Sequence, residues 1–280
     1  MPQFSAIQQR DRLGPRNPKP ILPIFSESET WVDVSNPTSG SPSANHFLNH
    51  LIHLQQNQRS RHKKLHKNYS NPPIGDKKNH ATPADINLTV KLGMKDADEW
   101  GKQFEAYRVL NQKEKKSVLS EYGILFLLID LGFKTSQEAD DEGHWLLQNG
   151  KTLEVAVSSK NPSVNHFVSE LINTISIPFQ TLKIDDFECA VLKALLLLNC
   201  SFPNCVVLKN VMELQNSLFL QLMEHSTKKF PTRGPERFGE VVLLMSSIRN
   251  AMKSFYNQTR VPGLFYHTSF EPFLRNILLS

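Results

Sequence analysis

The chain has 280 residues, with 32 Lys and Arg against 27 Asp and Glu and a formal charge of +5. The charge is uneven: residues 1–80 carry 11 basic and 5 acidic residues and nine of the seventeen prolines, leaving 21 against 22 over residues 81–280. A near-neutral body gives no electrostatic reason to expect a nucleic-acid partner. Three cysteines (Cys189, Cys200, Cys205) with no C-x-x-C pair exclude a disulfide framework and fit a reducing compartment.

The amino terminus, MPQFSAIQQRDRLGPRNPKP, has no apolar core of the kind a secretory signal needs. Residues 1–80 read as a disordered, basic, hinge-like arm, because proline, serine and asparagine leave too little apolar surface to offset chain entropy. Within it, Phe47, Leu48, Leu51, Ile52 and Leu54 have the spacing of a short amphipathic helix. The cluster RSRHKKLHK, Arg59–Lys67, reads either as a nuclear import signal or as a solvated linker. The folded domain is expected over 81–280.

From residue 81 the period is helical: Ile86, Val90, Met94, Ala97, Gly101 and Phe104 form one stripe. Lys115–Leu131 is apolar almost all round, as a helix through the middle of a domain is. Its apolar run, broken by Asp130, falls short of the roughly 20 residues of a membrane span. Gly143 and Gly150 read as turn residues, and the alternation over Lys151–Val157 is the strand material. Helical spacing returns from Val164 to Ile175 and stops at Pro178. Asp185 and Glu188 form a capping-box variant opening a helix through Leu198. Pro203 is expected to start a long helix carrying Val207, Val211, Leu214, Leu218 and Leu222. A turn over Lys228–Pro235 precedes another helix through Phe255, and Phe270–Leu279 makes a short terminal one.

No G-x-S-x-G, P-loop, H-E-x-x-H or Gly-rich dinucleotide turn is present, so the chain is not expected to be an enzyme, and no cofactor or metal is expected. An apolar helical interior without convergent polar groups suits the enclosure of something greasy or the holding of a partner helix.

Three stretches resemble nuclear hormone receptor ligand-binding domains. DEWGKQFEAYRVLNQKEKKSVLSEYGILFLL (Asp98–Leu128) is similar to the family signature through Trp100-Gly101-Lys102, Tyr107 and Leu110, with Glu114-Lys115 where the family has Asp-Gln. DDFECAVLKALLLLNC resembles the family's eighth helix, and PERFGEVVLLMSSIRNAM its tenth. Ala6-Ile7-Gln8 and Gly14-Pro15-Arg16 resemble the segment after the second zinc finger in the tailless and photoreceptor-specific receptors, while the zinc-finger DNA-binding domain itself is lacking.

The resemblance implies an all-α, three-layer antiparallel helical sandwich with a small two-stranded β-turn. It implies a nuclear transcription regulator that recruits coactivators or corepressors: an orphan receptor, repressive or weakly activating. Dimerisation, with a like or an unlike chain, would use 237–255, and DNA would be bound only through an upstream zinc-finger domain. A membrane role is not expected, and a small lipophilic ligand is left open. The implied pocket lining is Trp100, Phe104, Tyr107, Leu125, Leu128 and Ile172, with Glu188 paired to Arg249. The implied coregulator groove is Lys102 with Phe273, Leu274, Asn276, Ile277 and Leu278. Asn276 stands where activating receptors place a glutamate that clamps the amide end of a Leu-rich peptide helix. The rival reading is an unrelated all-helical scaffold or adaptor.

Overall fold

The computed structural model describes residues 42–69, 80–138, 143–155, 162–198 and 201–259. Helix α1 (Pro42–Tyr69) comes first, followed by α2 (Pro83–Gly101), the one-turn α3 (Glu105–Arg108) and the long α4 (Gln112–Glu138). Strands β1 (His144–Leu146) and β2 (Thr152–Glu154) form an antiparallel hairpin in which Trp145 faces Leu153. Helix α5 (Pro162–Leu171) runs through a π-helical turn (Ile172–Ser176) into α6 (Ile177–Thr181), and α7 (Asp186–Leu198) follows. A second small hairpin, β3 (Ser201–Phe202) and β4 (Val206–Val207), precedes α8 (Met212–Lys229) and α9 (Gly234–Thr259). No described helix is long and apolar enough to cross a membrane.

Helices α4 and α7 make the interior layer. Glu188–Leu198 is buried without interruption, and α4 is buried from Tyr122 to Gly132. α4 packs on α2, α7 and α9, and α7 on α1, α8 and α9, which gives the expected helical sandwich. Small residues permit the close crossings. A Cβ on Gly93 would lie 2.7 Å from Leu127, and one on Gly132 would overlap Ile175.

The helix starts follow local chemistry. Thr82 caps α2 in a capping box with Asp85, with Pro83 in the first turn. At α7, Glu188 N donates to Asp185 Oδ1 at 2.9 Å and Asp185 N to Glu188 Oε2 at 3.0 Å, the reciprocal pair read from the sequence. Gly143 and Gly150 have positive φ, as the turns at the first hairpin require. Gly150 N closes its turn on Leu147 O at 3.0 Å.

Two expectations need correction. The arm over 1–80 contains 28 residues of helix, α1, which buries Leu48, Leu51, Gln55, Gln58 and His62. Its composition is polar, but one face carries the right groups at every turn, and that face decides burial. The remainder of 1–80, apart from His80, lies outside the described residues. The helix expected from Pro203 begins instead at Met212. Asn204 and Asn210 hold positive φ in the turns around the second hairpin, and Val207 is exposed rather than inward. Asparagine tolerates that left-handed conformation, and two of them within seven residues break the helical period. The terminal segment Phe270–Leu279 lies outside the described residues.

Candidate functional site

A proline explains the local geometry of the sixth helix. Pro178 has no N–H and its ring crowds the carbonyl four residues back, so the helix widens ahead of it. Ile177 N reaches Ile172 O, five residues away. The widened turn carries Ile172 and Ile175 against α4 at Gly132.

The six residues expected to line a pocket do not line one together. Trp100, Phe104, Tyr107, Leu125 and Leu128 are all buried, and Ile172 is half-buried. Trp100 stacks edge-on against Phe126 at 5.6 Å, and Tyr107 donates its hydroxyl to Asp98 Oδ1 at 2.8 Å. Of the six, Leu128 borders a small apolar cavity among the described residues, which lies between Val90, Leu128, Trp145, Phe167, Leu171 and Phe255. Its volume is about 20 Å³, room for one water and far below the roughly 300 Å³ at which ligand pockets begin.

A chain of charges joins α1, α4 and α7. Lys193 is fully buried, donates to Asp130 Oδ1 at 2.7 Å, and sits 4.1 Å from the ring of Phe126 and 5.2 Å from that of Trp100. Arg59 reaches the same Asp130 oxygen at 3.3 Å, bonds Asp186, and lays its guanidinium 3.9 Å over Phe133. Burial alone would raise the Asp130 carboxyl, but Lys193 and Arg59 together hold it below its ordinary value. Cys189 lies beside this knot, its thiol pushed up to about 12 by burial, so it is inert at neutral pH. Further along α1, His62 Nε2 meets Asp96 at 2.7 Å and Arg61 bonds Asp96 and Glu99. Arg59, Arg61 and His62 are thus engaged by the core, which corrects the reading of Arg59–Lys67 as a wholly solvated linker.

Composition hid these groups, but spacing did not. Leu48, Leu51, Gln55, Gln58 and His62 recur at three and four, and Asp130 interrupts an apolar run where a lone carboxylate cannot stay unpaired.

Glu188 is paired, though not to Arg249. Arg237, one turn into α9, donates Nε at 2.9 Å and Nη2 at 2.8 Å to its two oxygens, with both side chains buried. Arg249 lies about three turns further along α9, and its charge acts on Glu121 of α4. Asp185, Glu188 and His225 bring ligand-type atoms within 4.8 Å of one another. Lys229 already stands 2.8 Å from Asp185 and 3.7 Å from Glu188, so ammonium and guanidinium groups supply the positive charge a metal would bring.

Of the expected coregulator groove, Lys102 caps α2, is largely exposed, and pairs with Asp98 one turn back. Phe273, Leu274, Asn276, Ile277 and Leu278 lie outside the described residues. Two open hollows also mark the surface. One, of about 970 Å³, lies between α3, the start of α4 and the second hairpin. The other, of about 440 Å³, lies between α1, the end of α4 and the first hairpin.

Residues 73–265 match the family model described as the ligand-binding domain of nuclear hormone receptor. The chain belongs to the nuclear hormone receptor family. The unrelated-scaffold reading falls with that match. Similar proteins include nuclear hormone receptor family member nhr-1 of Caenorhabditis elegans, 24% identical over 71% of this chain and 46% of that protein. Hepatocyte nuclear factor 4-gamma of Mus musculus is 23% identical over 71% of this chain and 48% of its own length. Family member nhr-80 of C. elegans is 23% identical over 65% and 39% respectively. The chain therefore spans about half the length, or less, of the curated receptors it matches. Helix α1 precedes the matched segment, so the charged contacts made by Arg59, Arg61 and His62 lie outside it.

Proposed function

We propose that this receptor domain works in the nucleus as a regulator of transcription by recruiting coregulator proteins, with repression or weak activation as its default. The observation that carries this is the interior. Among the described residues, the apolar cavity bordered by Leu128 measures about 20 Å³, well below the size of a ligand pocket, which favours a described core held by its own side chains. No enzymatic role is proposed, since the sequence carries no catalytic motif.

Lys102, exposed at the end of α2, supplies the basic half of a clamp for a short Leu-rich helix. Its pairing with Asp98 is a surface contact worth about 1 kcal/mol or less, so a peptide carbonyl end can displace it. Asn276 replaces the acidic half, which removes a charge-assisted bond worth roughly 1.5–3 kcal/mol and at least about tenfold in affinity. Dimerisation through 237–255 is supported by Leu243, exposed on the outer face of α9. Nuclear entry would depend on those lysines of Arg59–Lys67 that the core leaves exposed, Lys63 and Lys64 among them. Kinship with the tailless and photoreceptor-specific group rests on residues 6–16 and stays part of this proposal.

Titration of a fluorescent Leu-rich coactivator peptide tests the reading. Asn276→Glu should tighten binding about tenfold or more, and adding Lys102→Ala should reverse the gain. Unchanged affinity in Asn276→Glu would sink the clamp. Stoichiometric co-purification of a lipid in native mass spectrometry would overturn the filled interior.

A further inference from the structure

A cleft beside the carboxyl end of α4 is walled equally by α1 and α4 and lined largely by charged and amide side chains. It measures about 440 Å³, within the range of small-molecule sites, and Arg59, Lys63, Phe133, Lys134, Glu138 and Gln148 are among its lining residues. We propose that this cleft binds a small molecule through a carboxylate or phosphate group.

The cleft holds unspent hydrogen-bond donors. Asp130 is committed through Oδ1 to Lys193 and Arg59 while its Oδ2 has no partner, and Asp186 is committed to Arg59, Gln55 and Gln56. The unspent donors outnumber that one free oxygen. Lys134 Nζ gives one hydrogen bond, to Leu147 O at 3.0 Å, and has two protons left. Gln148 is buried, and its Nε2 has no partner among the described residues. A buried donor left in that state is costly unless something fills the space beside it. Lys63 stands exposed at the mouth. Burial holds Lys134 below its ordinary value, the charge of Glu138 opposes that, and the charge of Lys63 adds to it, so an anion near both ammonium groups would be favoured. Phe133, covered by the Arg59 guanidinium, gives the cleft one flat wall. Glu138, exposed at the rim, and the free Oδ2 of Asp130 are the carboxylate oxygens of the described lining left to compete.

The site is separate from the apolar cavity and from Lys102, so it stands or falls independently of coregulator binding. It would also tie ligand to α1, because Arg59 and Lys63 reach the cleft from that helix.

Thermal unfolding of the full chain is the test, titrated with succinate and with inorganic phosphate at constant ionic strength kept with sodium chloride. A saturable rise in Tm with either anion is expected, by preferential binding to the folded state. Response to succinate alone marks a carboxylate site, and response to phosphate alone a phosphate site. Lys63→Glu puts a competing carboxylate at the mouth and should weaken the response about tenfold or more. Glu138→Gln should strengthen it, and the side-chain amide resonance of Gln148 should shift with the same saturation curve. No rise beyond that with chloride, a response unaltered in Lys63→Glu, or a weaker response in Glu138→Gln overturns the proposal.

Discussion

Arg237 holds both carboxylate oxygens of Glu188, at 2.9 and 2.8 Å, across the gap between the start of α9 and the start of α7. The same glutamate closes the capping box with Asp185, so one side chain fixes a helix start and a helix–helix contact together. Replacing Arg237 by Met strands a buried carboxylate. The expected loss is about 3–5 kcal/mol in urea unfolding. Arg249→Met, at a partly exposed position, should cost about 1 kcal/mol or less. Equal losses in the two variants would return the pairing to Arg249.

Helix α1 should behave as part of the folded body. Leu48 and Leu51 each contribute roughly 1.5–3 kcal/mol by burial, and Arg59 adds its bonds to Asp130 and Asp186. Limited proteolysis is expected to leave residues 46–62 uncut, and deletion of residues 1–69 should lower the Tm sharply. A resistant core beginning near Ala81, with the deletion as stable as the full chain, would show α1 to be dispensable.

Two glycines offer a matched test of packing. A Cβ at Gly132 would overlap Ile175 Cγ2, inside the contact between α4 and the widened turn. Gly132→Ala should therefore destabilise by about 1–3 kcal/mol. At Gly239, in α9, an added Cβ meets nothing within 4 Å, and Gly239→Ala should stabilise by up to about 1 kcal/mol. Denaturant midpoints of the two variants should move in opposite directions.

The Asp185 carboxyl gives a pH dependence. Burial would raise it, but hydrogen bonds from His225 and Lys229 and the bond from the Glu188 amide bring it well below the usual carboxylate range. A carboxyl lowered in the folded state stabilises above its unfolded value of about 3.9, and that gain disappears as the pH falls toward the folded value. Asp185→Asn keeps an oxygen for the cap but loses the charge. Its Tm deficit should be full at neutral pH and shrink steadily below about pH 4. A deficit constant down to strong acid would remove the charge from the explanation.

The sandwich is legible in the sequence because its helices are long and their apolar stripes regular: Ile86, Val90, Met94 and Ala97 on α2, and the long apolar run of α4, carry their burial in their spacing. The first hairpin shows itself through Gly143, Gly150 and the alternation from Lys151. What stays hidden is the pairing of the polar groups. Gln55, Gln58, Arg59 and His62 look like solvent-facing residues one at a time, and become core residues only because Asp96, Asp130 and Asp186 face them across other helices. Pairings over such distances have no local signature. For the same reason the sequence leaves the partner of Glu188 misplaced by about three turns of α9: both arginines share a helix, and only the crossing of α9 over α7 selects between them. The pocket residues fail differently. Their burial follows from hydropathy, but aromatic bulk near Trp100 and Phe126 fills a space that a hydropathy pattern cannot measure.

The widened turn at Ile172–Ser176 works as a spacer one residue long. Each residue of a helix advances its neighbours by about 100° around the axis. Phe167 and Leu171 before the turn, and Phe179 after it, all reach the core only because the turn absorbs that extra step. Deleting Thr174, in the middle of the turn, would let the segment close as continuous α-helix and swing one side's anchors out of register. The molecule would then have to choose between seating Phe167 and seating Phe179, and the wall beside Trp145 would open on whichever side lost.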